Sequence, residues 1–377
     1  VGVAPARESC HGAEAAGYGR HPYLAGRWPT YIARELMLFR EGKRTNSGDA
    51  PIASRIFPSD LAGHNRGAAC AASRKPTWAF EWRTAMKKKV CAAAVLALAT
   101  FTVMAASPDD KTLLHIPGSS TQGYTSEQIT SLFVAPDWWP QDHPTMPQIV
   151  AHGRGKAWPC ARCHLPTGLG RPEDAATAGL PLAYIFEQIK AFRDGDRASP
   201  IMHEELSHVS DADLKRAAVY FSSLRFTPWT RVIETASVPK THMEYYGLAP
   251  IPGAGNEAIG NRIILVPANP ELTGLGDTRS GYIAYVPPGS IERGATIAAK
   301  GVGAAPACES CHGANLRGAG DIPPLAGRMP NYIVHQLLDF QDGKRRGPAT
   351  LPMQQEVSKL TLNDMIAVAA YAASRKP

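Results

Sequence analysis

The sequence predicts an all-α protein: two tandem small helical domains joined by a Pro/Gly-rich linker with room for one short β-hairpin. Three observations predict it. The pentapeptide Cys-x-x-Cys-His occurs twice, at 160–164 and 308–312. Each copy is followed by a segment with helical apolar spacing, then a Met, then a second helical segment with a good N-terminal cap. Between the two halves the chain is rich in Pro and Gly, the composition of a connection.

The pentapeptides, Cys160-Ala161-Arg162-Cys163-His164 and Cys308-Glu309-Ser310-Cys311-His312, carry the chemistry. C-x-x-C-H is the attachment signal for c-type haem. Two thiols add across the two vinyl groups of one porphyrin, and the next residue then lies beneath the iron, where its imidazole becomes the proximal ligand. Two covalently bound haem c groups follow, held by Cys160, Cys163, Cys308 and Cys311, with His164 and His312 on the metal. A zinc site would gather four protein ligands in one place, whereas these pairs stand about 150 residues apart. A thioredoxin-like redox pair has no need of a His after the second Cys in both copies.

After each motif a helix is expected. Ile185, Ile189 and Phe192, and likewise Ile333, Leu337 and Phe340, follow helical spacing, and Gly195 and Gly343 are natural stops. Aligning Glu205 with Glu356 and Asp213 with Asp364 places Met202 on Met353, each read as lying in a loop before the last helix with Pro200 or Pro352 close ahead. A Met reaching the iron opposite the His gives the His/Met arrangement, which raises the reduction potential. The bland alternative is a flexible core filler. His203 is a neighbouring competitor for Met202, and Met329 is a weaker candidate.

The closing helices begin at Ser210-Asp211-Ala212-Asp213 and Thr361-Leu362-Asn363-Asp364, which resemble capping boxes with Asp in the usual Glu position. An opening helix is expected over Ser290 to Lys300, with Gly294 and Ile297 crossing the closing helix near Ala367, Ala370 and Tyr371. Its counterpart around Met146 to His152 contains Pro147 and should be short. In the linker, Arg262 to Pro267 and Tyr282 to Pro287 read as two short strands, paired as a hairpin or laid as an extended connection.

Charge and cysteines bound the rest. Of 377 residues, 40 are Lys or Arg and 33 Asp or Glu, a net +7. Residues 1–106 hold 15 basic and 7 acidic side chains, leaving 25 and 26 for residues 107–377, a net −1. The basic character sits at the front, so nucleic acid is not expected as a partner. Met86-Lys87-Lys88-Lys89, an apolar run to Ala106 and the polar Ser107-Pro108 read as a secretory signal over 86–106, against the alternative of a core helix or an uncleaved anchor. Behind that signal, the remaining cysteines are the four of the motifs, so no disulfide staples the exported chain.

Residues 1–76 repeat residues 302–377 in decayed form. Glu8-Ser9-Cys10-His11-Gly12 matches Glu309 to Gly313, but Arg7 stands where Cys308 stands and Ile52 where Met353 stands. This front copy, 1–85, is read as a broken duplicate or as upstream sequence outside the working protein, which is expected to start at Met86. A third haem on Cys10 alone is the lesser alternative. The expected layout is then an extension at 107–143, haem domain 1 at 144–235, a linker at 236–285 and haem domain 2 at 286–377.

These residues resemble the class I cytochromes c, in particular the periplasmic two-haem cytochromes of the c-four type. The family pattern is C-x-x-C-H-G, P-x-L-A-G, Y-x-x-x-Q-L, F-x-x-G-x-R, a Met and A-A-Y-x-A-S. Domain 2 follows it through Cys308 to Gly313, Pro324 to Gly327, Tyr332, Gln336-Leu337, Phe340, Gly343, Arg345, Met353 and Ala369 to Tyr371. Domain 1 departs from it at Leu165, where the family has Gly, and keeps only Ala178-Gly179 of the second element. The resemblance covers about 190 residues. It implies small α-helical cytochrome folds and a periplasmic carrier of single electrons with no catalytic residue. Its partners would be a dehydrogenase or quinol-oxidising complex on one side and an oxidase or other cytochrome on the other, with membrane association only through a partner. The alternative is a haem enzyme, a peroxidase or a small sulfur or nitrogen oxidoreductase, with an open iron site at haem 1.

Overall fold

The computed structural model describes residues 112–244 and 247–377. The front copy (1–85) and the segment read as a secretory signal (86–106) lie outside the described residues. The extension begins with a two-residue ribbon, β1 (Leu113–Leu114) against β2 (Tyr124–Thr125), and helix α1 (Ser126–Thr130), started by a capping box between Thr125 and Gln128.

The helices of the segment read as domain 1 follow: α2 (Gln148–Ala151), α3 (Ala161–His164), α4 (Leu182–Asp194), α5 (Pro200–Ser207) and α6 (Asp211–Ser223). Helix α4 stops at Gly195, whose φ of 78° is left-handed backbone that glycine adopts without penalty. As Pro147 suggests, α2 is only one turn long and starts directly after it. The core forms where Ile149, Val150, Leu214, Ala217 and Phe221 meet, with Ile185, Ile189 and Phe192 of α4 packed against them.

The all-α expectation fails between the domains. Strands β3 (Thr230–Glu234), β4 (Ser237–Pro239), β5 (Thr241–Glu244), β6 (Gly247–Pro250), β7 (Asn256–Ala258), β8 (Ile264–Pro267) and β9 (Tyr282–Val286), with helix α7 (Pro270–Gly274), build a small β-rich unit. The two strands expected from the linker do pair antiparallel, Ile264 opposite Tyr285. They are not a simple hairpin, because β3 adds to β9 in parallel from Thr230↔Tyr282 to Glu234↔Val286. This third strand lies within the segment assigned to domain 1, about 50 residues before its partner, so the pairing is non-local and no local periodicity signals it. Along β9 the residues Tyr282, Ala284 and Val286 are buried and alternate with Ile283 and Tyr285, the period of a strand.

The extension docks onto this unit. The buried Trp138 donates its indole N–H to the Leu275 carbonyl at 2.7 Å, and Trp139 donates to Asp277 Oδ1 at 2.6 Å. Arg279 stacks over the Trp139 ring at 3.8 Å and clasps Asp142 through two bonds of 2.7 and 2.6 Å. A planar guanidinium suits both contacts at once.

The segment read as domain 2 contains α8 (Ser290–Lys300), α9 (Glu309–His312), α10 (Pro330–Gln341), α11 (Leu351–Val357) and α12 (Leu362–Ser374). Helices α8 and α12 cross as the sequence suggests. A Cβ on Gly294 would lie 2.0 Å from the Ala367 carbonyl oxygen, so only glycine permits this approach. Ile297, Leu337, Phe340, Val357, Met365, Val368 and Tyr371 close the core. The Thr361 box is complete: its hydroxyl accepts from Asp364 N–H, and Asp364 accepts from Thr361 N–H at 3.0 Å. At Ser210 only the first half forms. Among the described residues no helix is long and apolar enough to cross a membrane.

Candidate functional site

Both pentapeptides fold into one tight helical turn. Cys160 and Cys308 stand at the start with helical dihedrals (φ −58°, ψ −34° and φ −60°, ψ −34°), and His164 and His312 end α3 and α9. On a helix, positions i, i+3 and i+4 share one face, so each turn presents two thiols and an imidazole together. The spacing seen in the sequence is thus a helical spacing.

Each imidazole is oriented from behind. His164 Nδ1 bonds the Ala175 carbonyl at 2.8 Å, and His312 Nδ1 bonds the Pro323 carbonyl at 2.9 Å. A carbonyl only accepts, so the proton sits on Nδ1 and the Nε2 lone pair is left for a metal. Burial, opposed in part by the Pro323 bond, holds His312 below the usual imidazole range, which keeps the ring neutral. Phe221 meets the His164 ring edge-on at 6.0 Å.

The methionines lie in short helices, which corrects the expectation of loops. Met202 is in the first turn of α5, where its N–H is capped by Ser199 Oγ at 3.3 Å; Met353 is in the first turn of α11. A Pro at the start of each helix sets that turn, since its missing N–H costs nothing there. Met202 packs against the same core as Cys160, and Met353 against the same core as Cys308. His203, the competitor, is exposed with Nδ1 on the Phe192 carbonyl at 2.9 Å. Met329 belongs to a different cluster, with Leu165, Trp229 and Tyr282, away from Cys308 and Met353.

Leu165 and Gly313 follow the two histidines in the same unusual backbone, φ 67°, ψ 153° and φ 74°, ψ 167°. For a leucine this region costs of order 1–3 kcal/mol. The offset is burial: Leu165 is 3% exposed and packs with Leu169, Trp229 and Leu265, and burying such a side chain contributes roughly 1.5–3 kcal/mol.

Across the boundary of the two domains lies a cluster that sequence reasoning did not single out as functional. Arg197 donates to Gln188 (2.7 Å), Tyr332 (3.0 Å) and Gln336 (2.6 Å), and Arg345 donates to Gln336 (3.1 Å), Tyr184 (3.3 Å) and Gln188 (2.9 Å). The arrangement is two-fold symmetric. Arg328 is buried nearby on the Ala176 and Ala178 carbonyls. Burial pushes the Arg328 guanidinium down to about 10, and burial with the charge of Arg197 lowers Arg345. All of these direct partners are neutral, and Arg345 Nε is buried without a hydrogen bond. The signal was present as the repeated Tyr-x-x-x-Gln followed by Arg after Gly.

The donor set fits an iron porphyrin. Burial pushes the Cys160 thiol up to about 12 and the Cys308 thiol to about 11, away from the thiolate that zinc ligation needs. No group of three or more His, Cys, Asp or Glu able to hold a metal ion occurs among the described residues. The buried guanidiniums are the chemistry that would receive porphyrin carboxylates.

The chain is similar in sequence to c-type cytochromes. The family model described as cytochrome c matches residues 291–376. The chain is 27% identical over 227 residues to cytochrome c4 of Pseudomonas aeruginosa, covering 59% of this chain and 86% of that one. It is 26% identical over 219 residues to the thiosulfate dehydrogenase electron acceptor of Thiomonas intermedia, covering 57% and 78%. Among solved structures, the thiosulfate dehydrogenase TsdBA of Marichromatium purpuratum aligns with 26% identity and a TM-score of 0.41, over 60% of this chain and 39% of that one.

Proposed function

Starting from the chain's membership of the class I cytochromes c, in the cytochrome c4-like family, and hence from covalently bound haem c, we propose that it holds two haems and passes single electrons between redox proteins of the periplasm. The observation that supports this most directly is the repeated turn: two thiols, then an imidazole whose Nδ1 is spent on a carbonyl, beside a core that also contains a Met. Iron bound there supplies a one-electron change of valence. The chain does the rest. Cys160, Cys163, Cys308 and Cys311 tether, and His164 and His312 ligate through Nε2. Met202 and Met353 would supply the remaining iron ligands, the His/Met set that raises a reduction potential. The apolar cores exclude water, which reduces the reorganisation that accompanies each electron.

The donor we favour is a dehydrogenase, with a quinol-oxidising complex as the alternative, and the acceptor a terminal oxidase or another cytochrome. One relative is named for accepting electrons from thiosulfate dehydrogenase, which makes an oxidoreductase of small inorganic sulfur compounds the first donor to test. The test is haem content and near-infrared spectroscopy of the purified protein. Two haems per chain that survive acid–acetone extraction, with methionine-to-iron bands in the oxidised state, are expected. Carbon monoxide binding to one reduced haem would move the reading to an enzyme with an open iron.

A further inference from the structure

The segments that lead into the two methionine helices pair with each other across the domain boundary. Residues 195–199 run from α4 to the helix of Met202, and 343–347 run from α10 towards the helix of Met353. They lie antiparallel, with Arg197 opposite Arg345. Ala198 N–H donates to the Lys344 carbonyl at 2.7 Å, and Arg346 N–H donates to the Asp196 carbonyl at 2.7 Å. The arginine side chains continue the crossing: Arg197 of domain 1 reaches Tyr332 and Gln336, and Arg345 of domain 2 reaches Tyr184 and Gln188. Each guanidinium also lies over an aromatic ring of its own domain, Phe192 at 4.5 Å and Phe340 at 4.1 Å.

The brace connects to the methionines by short links. Gln354, beside Met353, donates its side-chain N–H to the Arg345 carbonyl at 2.6 Å. Met202 N–H is held by Ser199, two residues after Arg197. We propose that Arg197 and Arg345 are positioning residues: both guanidiniums share the Gln188 and Gln336 side-chain oxygens, so each fixes the arginine at the root of the other domain's methionine segment. The inference rests on the reading of Met202 and Met353 as axial ligands. A buried guanidinium that loses its partners cannot turn to water, so neither segment lifts without disturbing the other. Opening of the distal face at one iron is therefore coupled to opening at the other, and the coupling is reciprocal.

The test uses imidazole as a probe of the oxidised two-haem protein. Imidazole binds only where the Met has left, so its apparent affinity reports the open fraction at that haem. The two haems are followed separately through their paramagnetically shifted methyl resonances. Arg197→Gln lies in domain 1, yet it is expected to tighten imidazole binding at haem 2 by about tenfold, the size expected for losing a charged hydrogen bond. Ala198→Pro, which deletes the N–H given to Lys344 and touches no guanidinium, should act in the same direction. Gln354→Ala, a one-sided control, should loosen haem 2 alone. If Arg197→Gln and Ala198→Pro act on haem 1 only, or on neither haem, while the unaltered protein shows both methionine signatures, the brace is wrong and the ligand reading stands. An unaltered protein without methionine signatures overturns both.

Discussion

Domains 1 and 2 build the same Cys-x-x-Cys-His turn on different supports. Domain 2 has an eleven-residue opening helix, α8, that meets α12 at Gly294, and a glycine after its motif His. Domain 1 has a four-residue α2 in that place and Leu165 after the His. Yet the carbonyl behind each imidazole lies 11 residues beyond it in both, Ala175 for His164 and Pro323 for His312. Helical spacing of thiols and imidazole, with one carbonyl to fix the tautomer, is what the chemistry requires. The helices that bury it are replaceable, and in domain 1 the β-rich unit takes over part of that task by covering Leu165 and Leu169.

The largest test of this comparison removes one site outright. Replacing Cys308 and Cys311 together by Ala should halve the covalently bound haem, read as haem per chain after acid–acetone extraction, and leave the His164 site loaded. Loss of both haems would mean that the domains do not fill independently.

Next in size is the helix crossing. Gly294→Ala drives a methyl group into the Ala367 carbonyl and should cost about 3 kcal/mol in denaturant unfolding, since overpacking at a fixed backbone contact is rarely absorbed. The haem 1 spectrum should be lost at a denaturant concentration shifted less than that of haem 2, because the clash lies within domain 2 and reaches domain 1 only through the Arg197–Arg345 pairing. A stability change of a few tenths of a kcal/mol would show that the helices part easily.

Leu165 offers a sharper sign test. Leu165→Ala keeps the strained backbone and loses the packing; Leu165→Gly loses slightly more packing and relieves the strain. The glycine variant should therefore be the more stable of the two by about 1 kcal/mol, the reverse of the usual order in ordered structure. If alanine is the more stable, the backbone at 165 relaxes and the comparison with Gly313 loses its basis.

The smallest effect concerns the closing helices. Burial by itself would raise Asp364, but the Thr361 bonds and Arg293 outweigh it and hold its carboxyl below 3.8. A carboxyl lowered on folding contributes stability that is complete above the unfolded value and is lost as pH falls through the folded one. Unfolding measured below about pH 4 should thus be steeper for the unaltered chain than for Asp364→Asn. Asp213→Asn should change the curve in the same direction, because the Ser210 hydroxyl, Arg154 and Arg216 hold the Asp213 carboxyl low as well.

Much was legible without coordinates because it is local. The C-x-x-C-H turns, the glycine stop at Gly195, the Thr361 cap and the Gly294 crossing all follow from residue spacing along one helix. The β-rich unit was read only in part: β8 and β9 have alternating or continuous apolar runs, but β3 shows nothing that names a partner 50 residues away. Tyr184, Gln188 and Arg197, with their counterparts Tyr332, Gln336 and Arg345, were visible as a repeat and not as a junction.

By itself the sequence carried the proposed chemistry, because two thiols and an imidazole at positions i, i+3 and i+4 are a local spacing that a single helical turn satisfies. Only the tertiary structure decided which carbonyl orients each imidazole, what covers Leu165, and that the two arginines reach across to the opposite domain. Those are contacts between segments far apart in the chain, set by packing and register, and no pattern along one segment encodes them.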